Sequence, residues 1–209
     1  GIGIDGETVS PTHFLNVPSL WKQSLPVPTL ESHKYSRGHA LVMGGGIATT
    51  GATRLAATGA LRAGAGLVSV ACSPESLPIY AAALTAVMTK PIHNATELET
   101  LLEDARITSV LIGPGYGVGN KTHDDVLQIL SHKKSCVIDA DAITAFKNNP
   151  AGLFKAIQSP VVLTPHEGEF ARIFNAKGSK AQRAREATKT SGAVVILKGN
   201  DTVIAAPDG

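Results

Sequence analysis

The sequence predicts an α/β fold: a doubly wound, mostly parallel sheet with helices on both faces. Three observations carry that expectation. Short apolar runs rich in Val and Ile recur without polar alternation, as in "LVSVAC" (67–72) and "AVVILKG" (193–199), which is how strands buried on both faces read. Segments of helical character separate most of those runs, the pattern of a parallel sheet with crossover helices. Hydrophobic residues make up 43% of the 209 residues but aromatics only 4%, a composition suited to helices packed closely on a sheet rather than to an aromatic-rich sandwich.

The elements follow in order. Residues 1–38 differ from the rest: they carry Pro11, Pro18, Pro26 and Pro28 with little periodicity, and residues 1–32 read as a linker or wrapping arm. From residue 33 onward the chain reads as one domain, 33–209. "HALVMGGG" (39–46) reads as a strand and residues 50–64 as a helix with a small-residue face. "LVSVAC" is the second strand, and a helix-rich stretch near 75–105 leads to "SVLIGPG" (109–115). A helix near 121–131, the strand "CVIDAD" (136–141), a short helix near 151–157 and the strand "VVLTPH" (161–166) come next. Two helices cover roughly 167–190. The last two strands, "AVVILKG" and "DTVIAAPDG", are too close in sequence for a crossover helix, so they predict an antiparallel hairpin turning at Gly199-Asn200.

Bulk properties exclude several classes of partner. The formal net charge is +2 and the lysines and arginines are scattered, with no basic stripe interleaved with aromatics, so no nucleic-acid partner is expected. No apolar run approaches the ~20 residues of a membrane span, and no secretory signal opens the chain. Cys72 and Cys136 lie in apolar runs without ligand spacing and read as buried thiols of a reducing compartment. The expectation is a soluble, cytoplasmic protein with no membrane partner.

Strand after strand ends in residues poorly suited to packing: Gly44-Gly45-Gly46, Gly113-Pro114-Gly115, Asp139-Ala140-Asp141, Thr164-Pro165-His166 and Lys198-Gly199. In a parallel sheet these ends share one edge, where ligands bind. The glycines do not form a nucleotide fingerprint. Ala52 stands where a P-loop needs lysine, Asn120 replaces a required glycine in "YGVGNKT" (116–122), and neither segment fits G-x-G-x-x-G. Glycines ahead of a helix still let backbone N–H groups approach an anion near 46–52 and 113–117. Asp139 and Asp141 would share one side of an extended strand, open to a metal or a hydroxyl, or else would serve a helix cap and backbone donors. His166, with Glu167 and Glu169, is either a wall of the site or an ordinary helix entry. His13, His33, His39, His93, His123 and His132 show no metal-ligand spacing, and no metal ligands are assigned.

Taken in order, "HKYSRGHALVMGGG", "GATRLAATGALRAGAGLVSVA", "IGPGYG", "VIDADAI", "LTPHEGEF" and "ILKGNDTVIA" resemble the NAD(P)H-hydrate dehydratases, ribokinase-like enzymes that return hydrated NADH and NADPH to use. The resemblance runs from about His33 to the end. It implies ADP or ATP as phosphoryl donor with Mg²⁺, hydrated NAD(P)H as substrate, and a homo-oligomer. Carried over by position, it implies that Ala52, Gly115 and His166 line the hydrate site. Lys198, Gly199, Asn200, Asp201 and Thr202 would contact the phosphates and sugar of the adenine nucleotide. "GIGID" (1–5) is similar to the last strand of the epimerase domain fused ahead of many bacterial members. The family's Gly-x-Gly-Asp segment, which supplies the anion hole and general base, would lie beyond Gly209, so no catalytic residue is assigned and the remainder of the domain is expected elsewhere in the protein. Two alternatives stay open: a small-molecule kinase of the same superfamily, of the hydroxyethylthiazole or pyridoxal type, and a catalytically silent nucleotide-binding module.

Overall fold

The computed structural model describes residues 12–208. The strand-like reading of "GIGID" lies outside the described residues. The described chain forms two units that divide between Ser32 and His33. In the first, α1 (Pro18–Trp21) leads into a 3₁₀ turn, Lys22–Ser24, and Trp21 Nε1 donates to Asn16 Oδ1 at 2.9 Å.

The second unit holds β1 (His39–Met43), β2 (Leu67–Cys72), β3 (Met88–Pro91), β4 (Ile107–Ile112), β5 (Ser135–Ile138), β6 (Val161–Leu163), β7 (Val194–Leu197) and β8 (Val203–Ala205). They form one sheet in the order β3-β2-β1-β4-β5-β6-β7-β8, parallel throughout except for the antiparallel β7–β8 pair. The helices are α2 (Thr50–Ala63), α3 (Leu77–Ala83), α4 (Ala95–Leu102), α5 (Asn120–Ser131), α6 (Ala140–Thr144), α7 (Pro150–Ala156), α8 (Glu167–Ile173) and α9 (Lys180–Ser191).

Both faces of the sheet are covered because side chains alternate along each strand. Leu41 and Met43 of β1 join a core with Leu98 and Leu102 of α4 and Val126, Ile129 and Leu130 of α5. Val42, between them, belongs to a second core with Ala57 of α2 and Tyr80 of α3. Strand order reverses between β1 and β4, so β1 runs out toward β2 and β3 on one side while β4 starts the run to β8 on the other. The tips of β1 and β4 therefore flank the switch point of the fold, where open α/β sheets leave a crevice.

Three details depart from the sequence reading. β3 lies inside the stretch read as helix-rich: Met88-Thr89-Lys90-Pro91 is largely exposed at the sheet edge, and Lys and Pro there block further pairing rather than signal a strand. β5 ends at Ile138, and Ala140, at φ +50, turns the chain into α6, so Asp139 and Asp141 do not share the side of an extended strand. The hairpin is antiparallel as expected, but Lys198–Thr202 connect its strands, a wider loop than a tight Gly199-Asn200 turn.

Cys72 and Cys136 are buried and free. Among the described residues, no helix is long and apolar enough to cross a membrane. Burial pushes the Cys136 thiol up to about 12 from its ordinary value of 9.0. Because the folded chain holds this proton more tightly, the resulting stability is complete below about pH 9 and is lost as pH rises toward 12. Urea titrations from pH 8 to 11 should show the wild type losing more stability than Cys136→Ala; parallel curves would refute this.

Candidate functional site

At the switch point the backbones of β1 and β4 come close enough to exclude side chains. A Cβ on Gly45 would run into the Gly115 carbonyl oxygen, and Gly115 itself has φ +68. Thr49 crosses the gap, its hydroxyl donating to the Gly115 carbonyl at 2.6 Å. Gly45 is held from beneath: its N–H donates to Thr53 Oγ1 at 3.2 Å and its carbonyl accepts from the fully buried Tyr80 hydroxyl at 3.0 Å. Thr49 occupies the N-cap of α2 without capping it, and α5, with Gly119 at its N-cap, is likewise uncapped by a side chain. Asn94, Asn149, His166 and Ser179 do cap their helices. First-turn N–H groups without a side-chain cap suit an anion, and open space surrounds Gly46 and Gly51 beside α2.

The β4 tip continues the edge. Tyr116 donates its hydroxyl to the buried Asp125 Oδ2 at 2.6 Å, Lys121 reaches the same hydroxyl at 3.0 Å, and Thr122 donates to the Gly117 carbonyl at 2.5 Å. Burial, and then the Asp125 carboxylate beside it, push the Tyr116 phenol far above its ordinary value, so it remains a donor. Gly117 N–H donates to Asp141 Oδ2 at 2.8 Å. Asp139 sits at the N-cap of α6, yet its carboxylate accepts from Lys198 Nζ at 2.7 Å instead of capping. His166 and Lys198 form a parallel bridge, with Lys198 N–H donating to the Pro165 carbonyl at 2.8 Å. These contacts tie the tips of β1, β4, β5, β6 and β7 into one edge.

His166 fills the helix-entry role that the sequence allowed. Its Nδ1 accepts from Gly168 N–H at 2.9 Å and Glu169 N–H at 3.2 Å, while Glu169 Oε2 accepts from His166 N–H at 2.9 Å. With Nδ1 an acceptor, the proton of the neutral ring lies on Nε2, which is 3.3 Å from Glu169 Oε1. The side chain is nevertheless 55% exposed, so the cap leaves the ring open to the edge. Glu167 turns away to Arg183, at 2.7 and 2.9 Å, and that guanidinium holds its carboxyl below the usual range.

Of the residues singled out by sequence, Gly115, His166, Lys198, Gly199, Asn200, Asp201 and Thr202 all lie in the tips or loops of this edge, and His166 touches Lys198. Ala52 lies in the first turn of α2 with its methyl exposed. Sequence reasoning did not single out Thr49, Tyr116, Asp125 or Lys180. Lys121 and Asp125 form an i,i+4 pair in the structure, a spacing that in sequence is an ordinary surface signal. Among the described residues, Thr164 Oγ1 alone is a buried side-chain polar atom without a partner. It sits two residues before His166, and such orphans concentrate where a ligand or water completes the bonding. No group of three or more His, Cys, Asp or Glu among the described residues is arranged to hold a metal.

The family described as NAD(P)H-hydrate dehydratase matches residues 40–209. The chain is 36% identical over its full length to the bifunctional NAD(P)H-hydrate repair enzyme Nnr of Moorella thermoacetica, but spans only 42% of that protein. It is 31% identical to the ADP-dependent (S)-NAD(P)H-hydrate dehydratase of Bacillus subtilis, over 93% of this chain and 71% of that one. Among solved structures, the Bacillus subtilis ADP/ATP-dependent NAD(P)H-hydrate dehydratase, co-crystallized with ATP and Mg²⁺, superposes with TM-score 0.72 at 29% identity, covering 88% of this chain and 66% of that one. A ribokinase-like superfamily protein of Enterococcus faecalis shares the fold with TM-score 0.79 at 22% identity, covering 95% and 72%.

The capping role of His166 can be tested by mutation. His166→Ala removes the cap and should lower unfolding stability by about 1 kcal/mol, whereas His166→Asn, a good N-cap residue, should stay near wild type. Equal losses in both variants, measured by urea denaturation, would contradict the capping role.

Proposed function

The chain belongs to the NAD(P)H-hydrate dehydratase family, and from that premise we propose that it is the dehydratase part of a bifunctional enzyme that uses ADP, or ATP, to return hydrated NADH and NADPH to their active forms. The observation that carries the proposal is the chain of contacts Thr49–Gly115, Gly117–Asp141, Asp139–Lys198 and Lys198–His166. It brings Gly115 and His166, assigned to the hydrate, to the same edge as the loop Lys198–Thr202, assigned to the nucleotide.

In the proposed reaction the terminal phosphoryl group of the nucleotide passes to the hydroxyl oxygen of the hydrated nicotinamide ring, as its bond to the bridging oxygen breaks, the shortened nucleotide leaves and the hydroxyl proton passes to solvent. The ring nitrogen lone pair then expels phosphate, and loss of a proton from the neighbouring carbon restores the double bond. The residues of this chain bind and orient, which is most of what phosphoryl transfer asks of a protein. Lys198 and the N–H groups of its loop meet the phosphates, while Gly115 and the His166 ring flank the hydrate. The backbone approach at Gly45 and Gly115 keeps the crevice narrow, and the orphaned Thr164 hydroxyl offers one more bonding position beside it. Mg²⁺ fits this site only as a counter-ion of the nucleotide phosphates, since the described residues offer no cluster of ligands. The proposal includes a cytoplasmic homo-oligomer, which sedimentation of the purified protein would check.

Hydrated NADH incubated with the full protein, Mg²⁺ and either ADP or ATP should recover the absorbance of the dihydronicotinamide near ~340 nm. Recovery with one nucleotide identifies the donor. No recovery with either, from folded protein that still binds nucleotide, would overturn the dehydratase reading in favour of a kinase. Lys198→Met should weaken nucleotide binding by about tenfold or more, the usual cost of a lost charge-assisted hydrogen bond, as titration calorimetry would register.

A further inference from the structure

We propose that Lys180 is the positioning residue that holds the loop Lys198–Thr202 in the shape that receives the nucleotide phosphates. The inference rests on the nucleotide reading of that loop given above.

Lys180 is the first residue of α9, where the helix dipole opposes a positive charge. It is nevertheless only 11% exposed. Its ammonium is drawn into the loop: it donates to the Asp201 carbonyl, to Asp201 Oδ1 at 3.1 Å and to the Lys198 carbonyl at 3.4 Å, with Glu167 Oε1 at 4.0 Å. The Asp201 carboxylate is 80% exposed, so that ion pair by itself contributes little. The two carbonyls matter more, because they lie on either side of Gly199 and Asn200 and converge on one cation. In a planar trans peptide the N–H points opposite to the carbonyl of the same unit. The N–H groups of Gly199 and Thr202 are therefore turned away from Lys180, as a backbone cradle for an anion requires. Gly199 completes the fit, since a Cβ there would run into the Lys180 ammonium.

Beyond Lys180, the loop has the His166–Lys198 bridge and the Lys198 N–H bond to Pro165 at its start, and a hydrogen bond from Thr202 Oγ1 to the Gly199 carbonyl at 3.2 Å. Without the lysine, two inward carbonyls lose their shared donor and the cradle loses its preorganisation. A direct phosphate contact would instead leave the ammonium facing outward, which its partners contradict.

The test is titration calorimetry of ADP with the full protein across a series of salt concentrations. Lys180→Met should weaken ADP binding about tenfold or more through lost preorganisation, with the slope of log Kd against log salt unchanged, because no phosphate contact is removed. Gly199→Ala, which displaces the ammonium without deleting it, should weaken binding in the same direction and serves if the first variant does not fold by circular dichroism. Lys180→Met binding ADP within about twofold of wild type would overturn the proposal. So would weaker binding with a flattened salt slope, the mark of a lysine that touches phosphate itself. Wild-type protein that binds neither ADP nor ATP would overturn the nucleotide reading of the loop, and is told apart by appearing before any substitution is made.

Discussion

The site depends on one constraint: between the tips of β1 and β4 there is room for backbone and not for side chains. Gly45 lies against the Gly115 carbonyl, and the Thr49 hydroxyl closes the remaining gap. Strand order reverses between these two strands, so no crossover helix covers the space above them. The chain fills it with glycines, of which Gly45 donates its N–H to Thr53 and accepts from the Tyr80 hydroxyl, both buried bonds. A rigid, narrow floor follows, and from it the edge extends through the β5 and β6 tips to the β7 loop.

Along that edge, polar groups complete one another across strands instead of capping their own helices. Asp139 stands at an N-cap and binds Lys198, Asp141 leaves its own helix for the Gly117 N–H, and Thr49 turns from α2 to Gly115. The choices of Asp139 and Thr49 leave the starts of α6 and α2 without a side-chain cap, at a cost of about 1 kcal/mol where a capping bond is given up. His166 is the exception, since its Nδ1 caps α8 while the rest of the ring stays exposed. One residue thus caps a helix and still presents its ring to the crevice.

The sheet was legible because buried parallel strands announce themselves through Val and Ile runs, and "LVSVAC" gave β2 to the residue. β3 was not, because an exposed edge strand ending in Lys90-Pro91 is built to discourage pairing and carries no apolar pattern. The aspartates misled because a strand signal does not mark its own end. Ala140 leaves the strand through a left-handed conformation that alanine rarely adopts, and no neighbouring residue announces it. The tips themselves were visible as polar residues ending apolar runs. Lys180 was invisible, since one lysine in a helix start reads as solvent-facing until the loop it holds is seen in space.

Charge balance along the edge bears on how a nucleotide binds. Lys198 is paired with Asp139, Lys180 with Asp201, and Arg183 with Glu167. Each of these three cations already has a carboxylate, so none of the three holds an unpaired charge for a phosphate. On the proposed reading, an arriving phosphate would share Lys198 with Asp139 or displace it, and the rest of its binding would come from N–H groups, which carry no competing counter-charge. That is the chemistry of an uncapped helix start and of a loop whose carbonyls are drawn away to a lysine. An edge organised in this way binds an anion through geometry more than through net charge. On the proposed reading, its selectivity for the phosphates of one nucleotide would rest on how firmly the backbone of the loop is held.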